Sequence, residues 1–149
     1  MGRVTLKQTG VITLGNGNEI RIEFYPADAP KTVENFVTLA KKGFYDNLTF
    51  HRVVPDFVVQ GGCPKGDGTG GPGHTVEAEF NKQKHVRGSV AMARSQHPDS
   101  AGSQFYITYG ATPHLDGNYT VFGHVVAGME HVDGIKQGDR MKMVAIVEQ

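Results

Sequence analysis

The chain has 149 residues, 38% of them hydrophobic, which is typical of a single globular domain spanning residues 1–149. Its 15 lysines and arginines balance 15 aspartates and glutamates, so net charge does not draw it toward nucleic acid or an anionic membrane. The N-terminus lacks the apolar core of a secretion signal, and no run reaches the ~18 apolar residues of a membrane span. We expect a cytoplasmic protein.

The first predicted elements are a β-hairpin and a helix. The β-type runs VTLKQTGVITL (4–14) and EIRIEF (19–24) flank a Gly-Asn-Gly-Asn stretch, and both residue types tolerate the positive φ of tight turns. The helix follows from apolar residues at i, i+3, i+4 and i+7, with Pro30 suited to its first turn and Gly43 to its end. These apolar positions are Val33, Phe36, Val37 and Ala40.

Short β-type runs make up most of the remaining chain. They are LTFHRVV, FVVQGG, GSVAMAR, SQFYITYG, TVFGHVV and MKMVAIVE, with a weakly helical piece near residues 129–135 between the last two. About eight short strands and one good helix predict a mainly β protein, either an antiparallel barrel or a sandwich. A closed barrel would leave no sheet edges.

Several motifs for other chemistries are incomplete. The loop GDGTGG (66–71) satisfies GxGxxG, but Pro72 and Gly73 follow where a nucleotide-binding helix would have to begin. The seven histidines form no zinc-ligand spacing, so we expect neither a metal nor another cofactor. The lone Cys63 cannot form an internal disulfide, and no sequence signal indicates an activated thiol.

A hydrolase is a further alternative, because Ser100 and Ser103 lie in HPDSAGSQ beside a histidine and an aspartate. That string lacks the GxSxG elbow, and nothing in the sequence brings a general base to either serine.

Polar side chains interrupt several of the apolar runs. The stretch TFHRVVPDFVVQGG predicts a buried strand pair, yet it contains an arginine and a glutamine. Alternation alone would put such residues on the outside of a sheet. Alternatively, Arg52 and Gln60 together with Phe57 would line a concave, partly apolar face suited to an extended, uncharged ligand such as a peptide. Arg94 and Gln104 occupy comparable positions in later runs.

Five blocks in this order resemble the cyclophilin family of peptidyl-prolyl isomerases: FHRVVPDFVVQGG, GDGTGG, GSVAMAR, GSQFYI and LDGNYTVFGHV. The match extends from the hairpin to the last strand, and the short loops resemble those of small bacterial members. The resemblance implies an eight-stranded closed antiparallel β-barrel capped by two α-helices, with a peptide groove on its outer surface.

The resemblance also implies roles for individual residues. Arg52 matches the catalytic arginine, Gln60 the glutamine that holds it, and Phe57 a wall of the proline pocket, and we assign these three to catalysis. Eight further positions match the substrate-binding groove: Val58, Ala93, Arg94, Gln104, Tyr106, His114, Leu115 and Tyr119.

Some groove positions depart from the family pattern. Tyr106 stands where phenylalanine is usual, so its hydroxyl needs a partner or water. His114 replaces a tryptophan common in eukaryotic members and Tyr119 a histidine, which predicts weak cyclosporin binding. Arg94 replaces a frequent asparagine, a change that leaves backbone pairing with a substrate intact.

The implied activity is cis–trans isomerisation of X–Pro bonds by a monomer, in proline-containing peptides and in unfolded or folding proteins. No covalent intermediate and no nucleic-acid or membrane partner are expected. A module that only binds proline-containing segments is the main alternative.

Overall fold

The fold is a single eight-stranded antiparallel sheet with two helices, seen in a computed structural model that describes residues 7–148. The strands are β1 Gln8–Leu14, β2 Glu19–Phe24, β3 Arg52–Val54, β4 Val58–Gly61, β5 Ser89–Met92, β6 Phe105–Thr108, β7 Val121–Ala127 and β8 Met141–Glu148. The helices are α1 Pro30–Lys41 and α2 Met129–Asp133, and a 3₁₀ turn covers Pro113–Leu115. In the described chain, neither helix is long and apolar enough to cross a bilayer.

The predicted hairpin and helix both form. β1 and β2 pair with Thr13 opposite Glu19, and Gly17 supplies a φ of 91° in the turn between them. The predicted beginning of the first strand, residues 4–6, lies outside the described residues. Helix α1 begins at Pro30 and ends in a left-handed Gly43, where the N–H groups of Gly43 and Phe44 donate to the carbonyls of Ala40 and Leu39.

The apolar face of α1 closes one end of the curved sheet. Its side chains belong to the main core, in which Phe36 is fully buried. Four aromatic rings lie 5.0–5.6 Å from the ring of Phe36: Phe24, Tyr45, Phe105 and Phe122. This packing joins the hairpin, the helix and the central strands, so the sheet has a firm inner support.

The expectation of a closed barrel is wrong in one respect. The strand order β3-β4-β6-β5-β7-β2-β1-β8 runs from one edge to the other, and β3 does not pair with β8. Instead, one bridge between Thr49 and Arg140 and four main-chain hydrogen bonds join residues 47–50 to residues 138–141. The ladder stops there because β3 has only three residues and the chain before it turns through a left-handed Asn47. The result is an open half-barrel with an irregular seam.

The central strands are buried on both faces. β5 and β6 have no exposed residue, whereas β2 alternates between exposed and buried positions. The inner faces of β5 and β6 pack on the main core, so their outer faces must have a separate cover. That cover forms the candidate site.

Candidate active site

A row of side chains crosses the outer face of the sheet from β3 to β7. Arg52 is opposite Gln60, Gln60 is opposite Tyr106, Tyr106 is opposite Ala91, and Ala91 is opposite Val121. Residues directly opposite one another in a ladder share a face. Strand register therefore brings together side chains that are up to 69 positions apart in sequence.

A second apolar cluster lies on this part of the outer face. Its buried members are Val58, Ala91, Tyr106 and Val121, and partly buried hydrophobic residues pack against them. A depression of about 210 Å³ opens among these side chains, and we call it the outer pocket. Its lining consists of Arg52, Phe57, Val58, Gln60, Ala93, Arg94, Tyr106, Leu115 and Tyr119. Nine of the eleven residues predicted from the sequence thus line one cavity.

Arg52 is not a buried arginine. It is exposed on the short strand β3, while Gln60 is half-buried on β4, as alternation requires. The predicted buried strand pair is thus buried mainly in β4, where Val58, Val59 and Gly61 are buried, whereas no residue of β3 is fully buried. The side chains of Arg52 and Gln60 lie on the outer face of the sheet and also line a concave face.

A chain of polar contacts starts at Arg52. Arg52 Nη1 donates to Gln60 Oε1 at 3.4 Å, and Gln60 Nε2 donates to Gln104 Oε1 at 3.1 Å. Gln104 Nε2 in turn donates to the carbonyl oxygens of Gly68 and Gly70, both at 2.9 Å. These carbonyls fix the orientation of both amides, so Gln60 presents an oxygen to the guanidinium. Within residues 7–148 this long contact is the only hydrogen bond of the Arg52 side chain, and its other N–H groups remain available.

The hydroxyl of Tyr106 has the partner that its position requires. Tyr106 Oη lies 2.8 Å from Nε2 of His85, which is 1% exposed, and Nδ1 of His85 lies 3.0 Å from Oδ1 of Asp116. The same carboxylate oxygen accepts the backbone N–H of His85 at 2.7 Å.

The ionisation states of this trio follow from burial and hydrogen bonding. Burial lowers the pKa of His85 despite the opposing effect of Asp116, and burial raises the pKa of Tyr106. The backbone N–H of His85 lowers the pKa of Asp116. At neutral pH an ionised Asp116 accepts the Nδ1–H of a neutral His85, which leaves Nε2 to accept the tyrosine O–H.

Arg94 is held by carbonyl oxygens from two segments of the chain. Its Nε and Nη2 donate to the carbonyl of Asn118 at 3.2 and 2.6 Å, and Nη1 donates to those of Ser95 and Gln96 at 2.9 and 3.3 Å. The guanidinium carbon lies 4.5 Å from the centre of the Tyr119 ring, a cation–π geometry. Arg94 therefore joins the end of β5 to the loop before β7.

Gln104 and His114 are the two predicted residues outside the lining of the outer pocket. Gln104 lines an adjoining depression of about 330 Å³, which we call the loop pocket because the glycine-rich loop 66–71 forms one side of it. His114 is exposed, and its ring stacks on Phe57 with 5.6 Å between the centroids. The carbonyl of Gln104 also accepts the N–H of Ala93 at 3.0 Å, whereas the N–H and C=O of Arg94 have no backbone partner among the described residues.

The other motifs have ordinary surroundings. Gly66 to Gly71 form a loop without a following helix. Ser100 Oγ donates to the carbonyl of His97 at 2.6 Å, and the buried Ser103 donates to that of Gly62 at 2.7 Å. In the part of the chain that is described, no histidine ring or carboxylate lies within hydrogen-bond distance of either hydroxyl, and this gives the hydrolase alternative no support.

Cys63 differs from the expectation in its electrostatics. Burial opposes ionisation of the thiol, but backbone N–H groups of the loop 65–70 outweigh that effect and lower the pKa of Cys63. The N–H of Gly70 donates to its Sγ at 3.2 Å. The side chain is 1% exposed, so its neighbours shield it.

Three functional neighbours escape sequence reasoning: His85, Asp116 and Asn118. None of them belongs to an apolar run. The hydrogen bonds that join His85 to Tyr106, Asp116 to His85 and Asn118 to Arg94 span 21 to 31 positions of the chain. The only hint in the sequence is the tyrosine itself, whose buried hydroxyl requires a polar partner.

Comparison with known proteins identifies this arrangement. Residues 9–148 match the family model described as cyclophilin type peptidyl-prolyl cis-trans isomerase/CLD. The chain belongs to this family, and it is an enzyme that isomerises X–Pro peptide bonds.

Individual relatives cover nearly the whole chain. Peptidyl-prolyl cis-trans isomerase B of Bacillus subtilis is 51% identical over 141 residues, which cover 93% of this chain and 98% of the relative. The crystal structure of a Cryptosporidium parvum cyclophilin-type isomerase has a TM-score of 0.87 at 29% identity and covers 97% of this chain and 99% of its own. A second structure of that isomerase, in the presence of the dipeptide Ala-Pro, has a TM-score of 0.81 at 31% identity and covers 95% and 98%.

Proposed function

We propose that the outer pocket binds the proline ring of a substrate and that Arg52 donates a hydrogen bond to the prolyl nitrogen as the X–Pro bond rotates. The observation that carries this proposal is the position of Arg52 at a partly apolar pocket, with a single long hydrogen bond to residues 7–148. The similar isomerase studied with Ala-Pro supports a proline ligand for this fold. Substrates are proline-containing peptides and folding proteins, and the chain acts as a monomer.

The reaction needs a donor and no nucleophile. The barrier of ~18–20 kcal/mol to rotation of a peptide bond reflects the loss of amide resonance. As the bond twists, the prolyl nitrogen becomes pyramidal and gains a lone pair that can accept a hydrogen bond. Arg52 is always protonated, so it can donate at any physiological pH. Its contact with that nitrogen exists only near the twisted state, which is the condition for lowering the barrier.

The pocket walls have a separate task in this mechanism. Phe57, Tyr106 and Leu115 hold the proline ring while the preceding carbonyl turns. A proline ring bound against these walls would displace water from the apolar side of the arginine donor. Tyr106 adds no competing donor, since its O–H is directed to His85.

The substrate backbone pairs with Arg94 rather than with Ala93. The N–H of Ala93 is already donated to Gln104, whereas the main-chain groups of Arg94 have no partner in the described chain. An extended peptide beside the end of β5 would satisfy them, as in other cases of strand addition. Val58 offers less apolar area than the methionine common at its position in the family, and His114 and Tyr119 replace a common tryptophan and histidine, so we expect cyclosporin to bind weakly.

The energies involved show how much of the transition-state stabilisation Arg52 can contribute. A millionfold acceleration needs about 8 kcal/mol of transition-state stabilisation. A single hydrogen bond to a charged group supplies ~1.5–3 kcal/mol, so the pocket and the backbone pairing must supply the remainder.

Removal of the arginine tests the proposal. We expect Arg52→Ala to lower kcat/KM by about 10²–10³-fold, the usual effect of losing one preorganised donor, in an NMR exchange assay on a short X–Pro peptide. Arg21→Ala is the matched control, because Arg21 is an exposed strand arginine far from the pocket, paired with Val11 and Ala127. The melting temperatures of both variants should stay close to that of the wild type.

Two results would contradict the mechanism. A loss of less than about threefold in Arg52→Ala, well below the effect of such a donor, would remove the assigned role. Binding of the peptide without acceleration by the wild type would indicate a proline-recognition module instead.

A further inference from the structure

The charged side chains of the groove have one sign, although the whole chain is neutral. The outer pocket and the loop pocket adjoin, and they share Gln60, Ala93 and Arg94. Their combined lining contains two guanidinium groups and the imidazole of His74. Within residues 7–148, no aspartate or glutamate lines either pocket. Because the formal net charge is zero, this local excess of cations does not reflect bulk composition.

Arg94 contributes a fixed and uncompensated charge to the junction of the two pockets. Its hydrogen bonds all go to carbonyl oxygens, and in the described part of the chain no carboxylate oxygen lies within 4 Å of it. Carbonyl dipoles and the Tyr119 ring orient the guanidinium without cancelling its charge. Arg52 has no carboxylate partner among the described residues either, but the proposed reaction assigns it to the prolyl nitrogen.

The acidic side chains near the groove have other partners. Asp67 accepts the N–H and the hydroxyl of Thr69 at 2.9 and 2.6 Å, within its own loop. Asp99 accepts the N–H of Ala78 at 2.8 Å, and Asp116 is bound to His85. These carboxylates are therefore held away from Arg94.

We propose that Arg94 makes this isomerase prefer substrates with a carboxylate side chain one or two residues from the proline. The inference rests on the proposed function, in which the proline occupies the outer pocket. An extended peptide advances about 3.3 Å per residue, so a side chain at either of these positions reaches the region of Arg94. Since the N–H groups of Arg94 are mostly engaged, the attraction is between charges, is sensitive to salt, and amounts to a two- to fivefold effect, as for exposed ion pairs.

Matched peptides measure this preference. Each peptide carries one proline and a single glutamate, glutamine or lysine, placed one or two residues before or after the proline. The measured quantity is the ratio of kcat/KM between the glutamate and the glutamine peptide at each position. At low salt we expect a glutamate-to-glutamine ratio of about three for at least one position. At that position the lysine-to-glutamine ratio of kcat/KM should be below one. Both ratios should approach one in about 0.5 M salt.

Variants separate charge from structure. Arg94→Gln should reduce the glutamate-to-glutamine ratio to about one, whatever its effect on the absolute rates. Arg94→Lys keeps the charge but loses the guanidinium that donates to three carbonyl oxygens, so its rates should fall while the ratio persists. Lys42→Gln removes an equal charge at the exposed end of α1 and should leave the ratio unchanged.

The outcomes are distinguishable from failure of the proposed function. If the glutamine peptides are not isomerised, the proposed function fails. If glutamate, glutamine and lysine peptides are isomerised equally at all positions, or if Arg94→Gln retains the wild-type ratio, the enzyme stands and the role of Arg94 is overturned.

Discussion

At the scale of single residues, Tyr106 shows how a polar group is accommodated in an apolar wall. Its ring forms part of the outer pocket, and its hydroxyl is directed away from the pocket to His85. Asp116 completes the arrangement by accepting two hydrogen bonds from His85, one from its backbone N–H and one from Nδ1–H. A buried hydroxyl without a partner costs about 1–3 kcal/mol, more than an ordinary hydrogen bond contributes, so the three side chains depend on one another.

Tyr106→Phe separates the ring from its hydroxyl. We expect the variant to lose about 1–3 kcal/mol of unfolding free energy, because the buried Nε2 of His85 loses its partner. Activity should stay within about threefold of wild type, since the aromatic wall remains and donor removal at a catalytic centre costs far more. Urea unfolding and the peptide exchange assay measure the two effects.

Tyr119→Phe is the control for this prediction. It makes the same chemical change in the same cluster, at a half-buried ring whose hydroxyl has no hydrogen bond within the described residues. Equal stability losses in the two variants would show that the His85 contact contributes nothing specific.

At the scale of elements, the turn between β3 and β4 brings Arg52 and Phe57 to the lining of the same pocket. Pro55 and Asp56 occupy the centre of the turn, Asp56 has a φ of 63°, and the N–H of Phe57 donates to the carbonyl of Val54 at 3.0 Å. Pro at the second position and a left-handed residue at the third are typical of a type II turn. The turn thus fixes the register in which Arg52 opposes Gln60.

The conformation of Asp56 predicts that a glycine variant is more stable than an alanine variant at this position. Asp56→Ala should unfold at lower urea concentration than Asp56→Gly, with a difference of about 1 kcal/mol, because alanine is strained at positive φ and glycine is not. The side chain of Asp56 is exposed, so loss of packing does not complicate the comparison. An alanine variant as stable as the glycine variant would show that the turn adapts without strain.

At the scale of the whole molecule, the seam between β3 and β8 decides how far the sheet closes. Main-chain bonds join Leu48 to Met141 and Phe50 to Asp139, over the buried side chains of Phe50 and Met141. Gly61 leaves room for this packing, since a Cβ there would lie 2.9 Å from Met141 Cε, Phe50 Cδ1 and the carbonyl oxygen of Thr49. Side-chain packing thus holds the two sides of the seam together where no ladder joins β3 to β8.

Gly61→Ala should force the seam apart. We expect a loss of about 1–3 kcal/mol of unfolding free energy, as for other overpacked sites, because one of the three close atoms belongs to the backbone and cannot move freely. Gly110→Ala is the control, since a Cβ at Gly110 meets nothing within 4 Å. Denaturant unfolding of both variants gives the comparison, and equal stability would mean that the seam yields at no cost.

Much of the fold could be predicted from local sequence patterns. The spacing of Val33, Phe36, Val37 and Ala40 predicts α1, and the Gly-Asn turn predicts the first hairpin, because both depend on interactions between near neighbours. The open seam could not be predicted this way. It depends on where a three-residue strand stops relative to a chain segment about 90 positions away.

The groove also combines features that local sequence patterns predict with features that they do not. Its residue types were recognisable because Arg52, Phe57 and Gln60 lie within nine positions of one another, in blocks that resemble a known family. The contacts of His85, Asp116 and Asn118 could not be predicted, because each of these residues is bound by a residue from a different part of the chain.

The sequence by itself determined the secondary structure, the family and the kinds of side chain in the groove, since periodicity and local motifs encode them. Only the tertiary structure decided three properties of the groove. Among residues 7–148, the exposed Arg52 has one long hydrogen bond and Arg94 has no carboxylate partner, and the hydroxyl of Tyr106 is bound to the buried His85. The physical reason is that these properties depend on register, burial and charge between distant segments, which are fixed only when the sheet curves and brings those segments together.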